Sequence, residues 1–195
     1  MIDFSLPKTV EVNGNMLEIR YDFRVILEIM VMLNDADLTD ADKCEALLDM
    51  FYIHPEEIDS NSLKDAVYAC FRFIECNSPE RKKKKQPQLV DWEQDFNYII
   101  GPVNKVLGYE SRSVSYDAAE NTGGIHWWTF MAAYMEIDNE CLFSQILTIR
   151  DKQARGKKLE KHEREWLNRN SDLVKIRTHY SDNEEQLISE WTKGG

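Results

Sequence analysis

Residues 125–150 read Ile125-His126-Trp127-Trp128-Thr129-Phe130-Met131-Ala132-Ala133-Tyr134-Met135-Glu136-Ile137, a polar break at Asp138-Asn139-Glu140, then Cys141-Leu142-Phe143-Ser144-Gln145-Ile146-Leu147-Thr148-Ile149-Arg150. Trp127, Phe130, Met131 and Tyr134 recur at i, i+3, i+4 and i+7, the spacing that puts side chains on one helix face. Leu142, Ile146 and Ile149 repeat the pattern. Asp138 and Asn139 are cap-forming residues, so the stretch predicts two helices joined by a turn. Each buried aromatic of this size removes roughly 150–250 Å² from water, which makes the pair a natural core.

Outward from it, the other segments predict helices as well. Asp22 reads as an N-cap before the stripe Phe23, Ile26, Leu27 and Met30; Val25, Ile29, Val31 and Met32 fill the remaining faces, so this helix is central or covered by a second subunit. Thr39 to Asp42 resembles a capping box ahead of Cys44, Leu47, Leu48 and Phe51. Leu63, Ala66, Val67, Cys70, Phe71 and Ile74 mark a third helix. A fourth carries Trp92, Phe96, Ile99, Ile100, Val103, Val106 and Leu107, with a kink or break expected at Gly101-Pro102. Tyr109 to Gly124 reads as loop, Leu159 to Leu167 as a polar helix, and Leu187, Ile188 and Trp191 as a short terminal one. Strands are expected only around Asn13-Gly14, where Thr9 to Arg20 alternates about a favoured type I′ pair. A lone hairpin is marginal in water, so it lies on the helical body or pairs with another chain. The fold class that follows is mainly α: a multi-helix bundle with a short N-terminal β-hairpin, one domain over 1–195. It would have an N-terminal lobe at 1–76, a mobile basic linker at 77–90 and a C-terminal helical lobe at 91–195.

The 195 residues suffice for a core without disulfide or metal. A net charge of −11 argues against unaided binding to nucleic acid or an anionic membrane. Charge is uneven: residues 1–76 hold 16 acids and 6 bases, whereas Arg81 to Lys85 is all basic, an asymmetry that fits self-association or docking to a charged partner. The basic run lacks interleaved aromatics for base stacking. Cys44, Cys70, Cys76 and Cys141 show no ligand spacing and suit a reducing cytoplasm. The first residues lack a charged region before an apolar run, so no leader is expected. Uninterrupted apolar runs such as Ile29 to Leu33 are far short of the roughly 18 residues a membrane span needs.

Catalytic and metal signatures fail on spacing. His126 lies about 18 Å along the helix from Asp138, Glu140 and Cys141, too far to close a metal site, and is expected to be structural. His162-Glu163-Arg164-Glu165-Trp166 opens like a zinc-protease signature but has no second histidine at i+4. Gly123-Gly124 is too short for a phosphate loop, and no nucleophile elbow is present. No enzymatic activity, cofactor or metal is therefore expected. The five tryptophans, eight tyrosines and eight phenylalanines point instead to a surface for a protein partner.

A set of landmarks spread over nearly the whole chain carries a family resemblance. They are Leu6-Pro7-Lys8, Val12-Asn13-Gly14, Asp22-Phe23-Arg24, Asp91-Trp92-Glu93-Gln94-Asp95 with Tyr98-Ile99-Ile100, His126-Trp127-Trp128-Thr129-Phe130, Ile149-Arg150, and the basic tail from Lys157 to Leu173. Together they resemble the small cytoplasmic proteins of long-tailed phages and prophages encoded between the major tail protein and the tape-measure protein. These are taken to be tail assembly chaperones. The resemblance implies a non-enzymatic protein of the host bacterial cytoplasm. It would bind the tape-measure protein, the tail tube subunits or both, with self-association or multivalent coating. The alternative is a structural or connector component retained in the virion. Trp92, Phe96, His126, Trp127, Trp128, Phe130, Tyr134 and Arg150 are the candidate partner-binding or core-organising residues. Gly101-Pro102 departs from the unbroken helix of many members.

Overall fold

The computed structural model describes residues 5–78 and 87–178 and is mainly helical. It divides into two compact units. One comprises Met1–Ser78, Ser115–Trp128 and Thr178–Gly195, and the other Pro79–Val114 with Thr129–Arg177. The expected lobes differ from this division, because residues 115–128 belong with the N-terminal unit. The basic run Arg81 to Lys85 and the helix expected at Leu187 to Trp191 lie outside the described residues.

In the first unit β1 (Thr9–Val12) and β2 (Asn15–Glu18) pair antiparallel, with Val12 opposite Asn15. Asn13 and Gly14 have φ of 49° and 85°, the left-handed pair a type I′ turn requires. The hairpin lies on the helical body, burying Val12 and Leu17. The chain then runs along the exit of the helix Asp40–Phe51 (α2): Ile19 bridges Tyr52, and the Arg20 backbone N–H donates to Phe51 O at 2.8 Å. The Arg20 guanidinium also donates to the carbonyls of Asp49 and Tyr52 at 2.8 and 2.5 Å, closing the C-terminal end of that helix.

Three helices complete this unit. α1 (Phe23–Leu33) is capped by Asp22 and buries Phe23, Ile26, Leu27 and Ile29. α2 (Asp40–Phe51) starts from the Thr39–Asp42 capping box and buries Leu47, Leu48 and Phe51, while Cys44 is exposed rather than part of that face. α3 (Leu63–Ile74) buries Ala66, Cys70 and Phe73 and packs on β1; the expected stripe is rotated, and Leu63 and Phe71 face solvent. The expected loop also holds order. β3 (Tyr116–Asp117) pairs with β4 (Thr122–Gly123), and the Asn121 side chain between them donates to Ile19 O at 3.0 Å.

In the second unit α4 (Trp92–Leu107) runs unbroken through Pro102, where the sequence predicts a kink or break. Proline deletes one backbone bond, a cost of about 3 kcal/mol in a helix interior. Ile99, Ile100 and Val103 on either side are fully or nearly fully buried, and that burial holds the helix together. α6 (Leu142–Ala154) packs on α4 through Phe143, Ile146 and Ile149; Leu142, expected on that face, is exposed. Its N-cap is Cys141, not Asp138 or Asn139. α7 (Lys161–Arg169) and the single turn α8 (Ser171–Val174) follow, tied back by Lys152–Glu163 and by α8 against α6. The unit boundary falls inside α5 (Trp127–Met135), between Trp128 and Thr129.

Gly124 has φ +71°, and a Cβ there would stand 2.1 Å from Asp22 Oδ2. Gly124→Ala is expected to lose more than the roughly 1–3 kcal/mol of backbone strain, since Asp22 must also move. Gly14→Ala, whose Cβ would meet nothing within 4 Å, carries the strain alone. Urea denaturation of the two variants measures the difference; equal losses would rule out the close approach.

Candidate functional site

The first unit closes around the segment Ile125 to Trp128. Its backbone pairs with the entry to α1: the Phe23 N–H donates to Ile125 O at 3.0 Å, and the Trp127 N–H to Tyr21 O at 2.7 Å. Asp22, fully buried, accepts from the Ile125 and Arg24 N–H groups at 2.8 and 3.0 Å and from the Arg24 guanidinium at 3.1 Å. His126 sits in an aromatic box: stacked on Tyr21 at 5.4 Å between centroids, with Phe73 and Trp128 edge-on at 5.5 and 5.9 Å. Its Nε2 meets Pro7 O at 2.8 Å, and its Nδ1 accepts from the Trp128 N–H at 3.1 Å. Those partners fix a neutral ring protonated at Nε2. Burial, with the nearby Lys8 charge, holds its pKa below the ordinary histidine value despite the Pro7 hydrogen bond.

The two tryptophans spend their polar handles inside the same unit. Trp127 and Trp128 Nε1 donate to Ile74 O and Phe73 O, both at 2.9 Å, satisfying carbonyls at the end of α3. Trp127 is buried and Trp128 half-buried.

In the second unit Arg150 is buried in a cage. Its guanidinium makes a two-armed pair with Asp95, at 2.5 and 3.0 Å, and donates to the carbonyls of Leu89, Leu173 and Val174 at 2.7–2.9 Å. Asp95 also accepts from the Asp91 N–H, so the pair fixes the start of α4, α6 and the chain after α8 together. Asp95 is the residue the sequence reading misses. Its signal is an acid at i+3 from Trp92 and i−4 from Ile99, on the apolar stripe, just as Arg150 follows Phe143 and Ile146 at i+7 and i+4. Trp92 is half-buried and contacts Tyr134, 5.2 Å between centroids; Tyr134 reaches Phe143 at 6.0 Å. Burial, helped by the Asp95 charge, pushes the Tyr134 phenol up to about 12. Phe130 is fully buried and Phe96 half-buried.

Among the described residues no group of three or more His, Cys, Asp or Glu is placed to hold a metal, and no helix is long and apolar enough to cross a membrane. A shallow open groove lined by Glu45, Leu48, Asp49, Pro55 and Glu56 is acidic. The open chemistry is apolar surface. Val106, Tyr109, Met135 and Leu142 in the second unit, and Leu63, Tyr68 and Phe71 in the first, are 40–67% exposed. In the second unit Lys105 Nζ stands 3.8 Å from Asp138 Oδ2, which brings the end of α4 to the α5–α6 turn.

Compared with known families, residues 2–176 match the family model described as Bacteriophage Gp15 protein. No curated protein and no solved structure matches the chain.

Arg150→Ala leaves Asp95 buried without its partner and is expected to cost about 3–5 kcal/mol. Arg150→Met with Asp95→Leu is expected to recover much of that loss; additive losses in a denaturation cycle would show that the two do not act as a pair. For His126 the unfolded chain takes up a proton near pH 6.5 while the folded one resists it. Stability is therefore full above that pH and falls as pH drops from it toward the lower folded value. The urea midpoint should fall between pH 7.5 and 5.5 by a larger amount in the native chain than in His126→Gln.

Proposed function

This chain belongs to the bacteriophage Gp15 protein family, and from that premise we propose that it is a non-enzymatic tail assembly chaperone acting in the host cytoplasm. It binds the tape-measure protein, tail tube subunits or both while the tail is built. The observation that carries this reading is the set of exposed apolar side chains at helix ends of the second unit: Val106, Tyr109, Met135 and Leu142. Exposed side chains of this size and apolarity suit a protein-binding surface. A long helical partner offers a matching face through anchors at i, i+3, i+4 and i+7. Such contacts are strong enough to cover an aggregation-prone segment and weak enough to be released when tube subunits replace them.

Co-expression of tape-measure protein with and without this chain tests the proposal. The tape-measure protein is expected in the soluble fraction only when the chain is present. Met135→Asp with Leu142→Asp should abolish the rescue while leaving the helical circular dichroism signal intact. No rescue by the native chain, or its recovery in purified virions at the level of a structural protein, overturns the chaperone reading in favour of a connector component.

A further inference from the structure

α3 turns one side into the first unit, through Ala66, Cys70 and Phe73, all buried. At about 3.6 residues per turn the opposite side is the stripe Lys64, Tyr68, Phe71 and Glu75, at i, i+4, i+7 and i+11. All four are exposed, and the two aromatics are so by 51% for Tyr68 and 40% for Phe71. Aromatic side chains set on the side of a helix away from its own core are of the kind interfaces favour. Asp65 and Arg72, exposed as well, run along one edge of the stripe.

The order of these residues selects the partner. Along the helix the stripe runs base, aromatic, aromatic, acid. Reversed, it is the same pattern with the charges exchanged, so it complements itself when a second α3 lies against it antiparallel. Lys64 then faces the second copy's Glu75 and Tyr68 faces its Phe71, and a two-fold axis repeats both contacts. In such a pair each edge meets the same edge of its mate, which sets Asp65 beside the second copy's Arg72, again twice. A parallel pair would oppose Lys64 to Lys64 and Glu75 to Glu75, and a partner helix of one charge sign would meet repulsion at one end of the stripe. We propose that the Lys64–Tyr68–Phe71–Glu75 stripe is a homodimer interface, covered by the same stripe of a second copy packed antiparallel. The 12 residues of α3 span about 18 Å. A helix pair of that length buries less than the roughly 800 Å² per partner of a standard stable interface, so the dimer dissociates on dilution. The interface belongs to the first unit alone and stands independently of the proposed function.

Sedimentation of the full chain over a concentration series at low salt tests this. The native chain should show a monomer–dimer equilibrium that shifts toward monomer as salt rises. Lys64→Glu sets acid against Glu75 twice per dimer and should raise the dissociation constant on the order of tenfold. Glu75→Lys should do the same by setting base against Lys64. Lys64→Glu/Glu75→Lys together should return the constant to near the native value, since the pairs are then rebuilt with their signs exchanged. Tyr68→Asp/Phe71→Asp should leave monomer at every concentration, and the charge variants remain decisive if that chain loses its helical circular dichroism signal. A native chain that stays monomeric throughout overturns the proposal. So does a dimer that the single charge changes leave unmoved, or that the double exchange does not restore.

Discussion

One buried carboxylate organises the N-terminal unit. Asp22 has no solvent exposure, yet every bond it makes runs to a group that folding must place. It caps α1, holds the Arg24 guanidinium and accepts the Ile125 N–H from a segment 103 residues away. Hydrogen bonds to an ionised oxygen are shorter and roughly twice as strong as neutral ones. A buried carboxylate lacking them would be costly, so the fold admits few arrangements of these strands of chain. Gly124 is the counterpart of that constraint, because only a residue without Cβ leaves room for the carboxylate. With Ile125 fixed, His126 enters its aromatic box and the two indoles reach the carbonyls that end α3.

The C-terminal unit solves its assembly with a charge pair in which both partners are buried. Asp95 and Arg150 are both at or near zero exposure and are saturated: the guanidinium has carboxylate and carbonyl partners, and Asp95 keeps a backbone donor besides. Buried pairs of this kind add little net stability over an apolar replacement, but removing one partner is severe. What the pair supplies is geometry. α4, α6 and the segment after α8 can meet in one register only, since any slip strands a charge.

Features set by neighbours in sequence were legible in the sequence, and features set across the fold were not. The Asn13-Gly14 turn, the Asp22 cap and the Thr39–Asp42 box depend on residues within four positions of one another, and each stands where the spacing puts it. The helix through Pro102 does not, because burial of Ile99 and Val103 against another helix overrides a local breaker. The rotation of α3 has the same origin: Phe71 and Phe73 are equally apolar, and only the position of the hairpin decides which is buried. Cys141 takes the cap that Asp138 or Asn139 would fill, while the Asp138 side chain accepts from the Glu140 N–H and its carbonyl from the Ser144 hydroxyl. Asp95 was readable as an acid on an apolar stripe, but its pairing with Arg150 was not, since 55 residues separate them.

The tryptophans show how far a surplus of aromatics can be taken as a functional signal. In the sequence, His126-Trp127-Trp128 is the densest aromatic cluster and invites a binding role. In the fold, both indole N–H groups are spent on main-chain carbonyls, the imidazole is bonded at both nitrogens, and the rings pack on Phe73 and Tyr21. An indole committed to a buried acceptor cannot turn outward without leaving that acceptor unpaired, a penalty of about 1–3 kcal/mol. Met135 and Leu142 carry no such obligation: they have no polar atom to satisfy, and Met135 is 67% exposed. A surface that must take up and release a partner is better made from side chains of that kind, whose contacts are non-directional. The apolar helix ends of the second unit are therefore the better place to look for a partner than the aromatic segment that dominates the sequence.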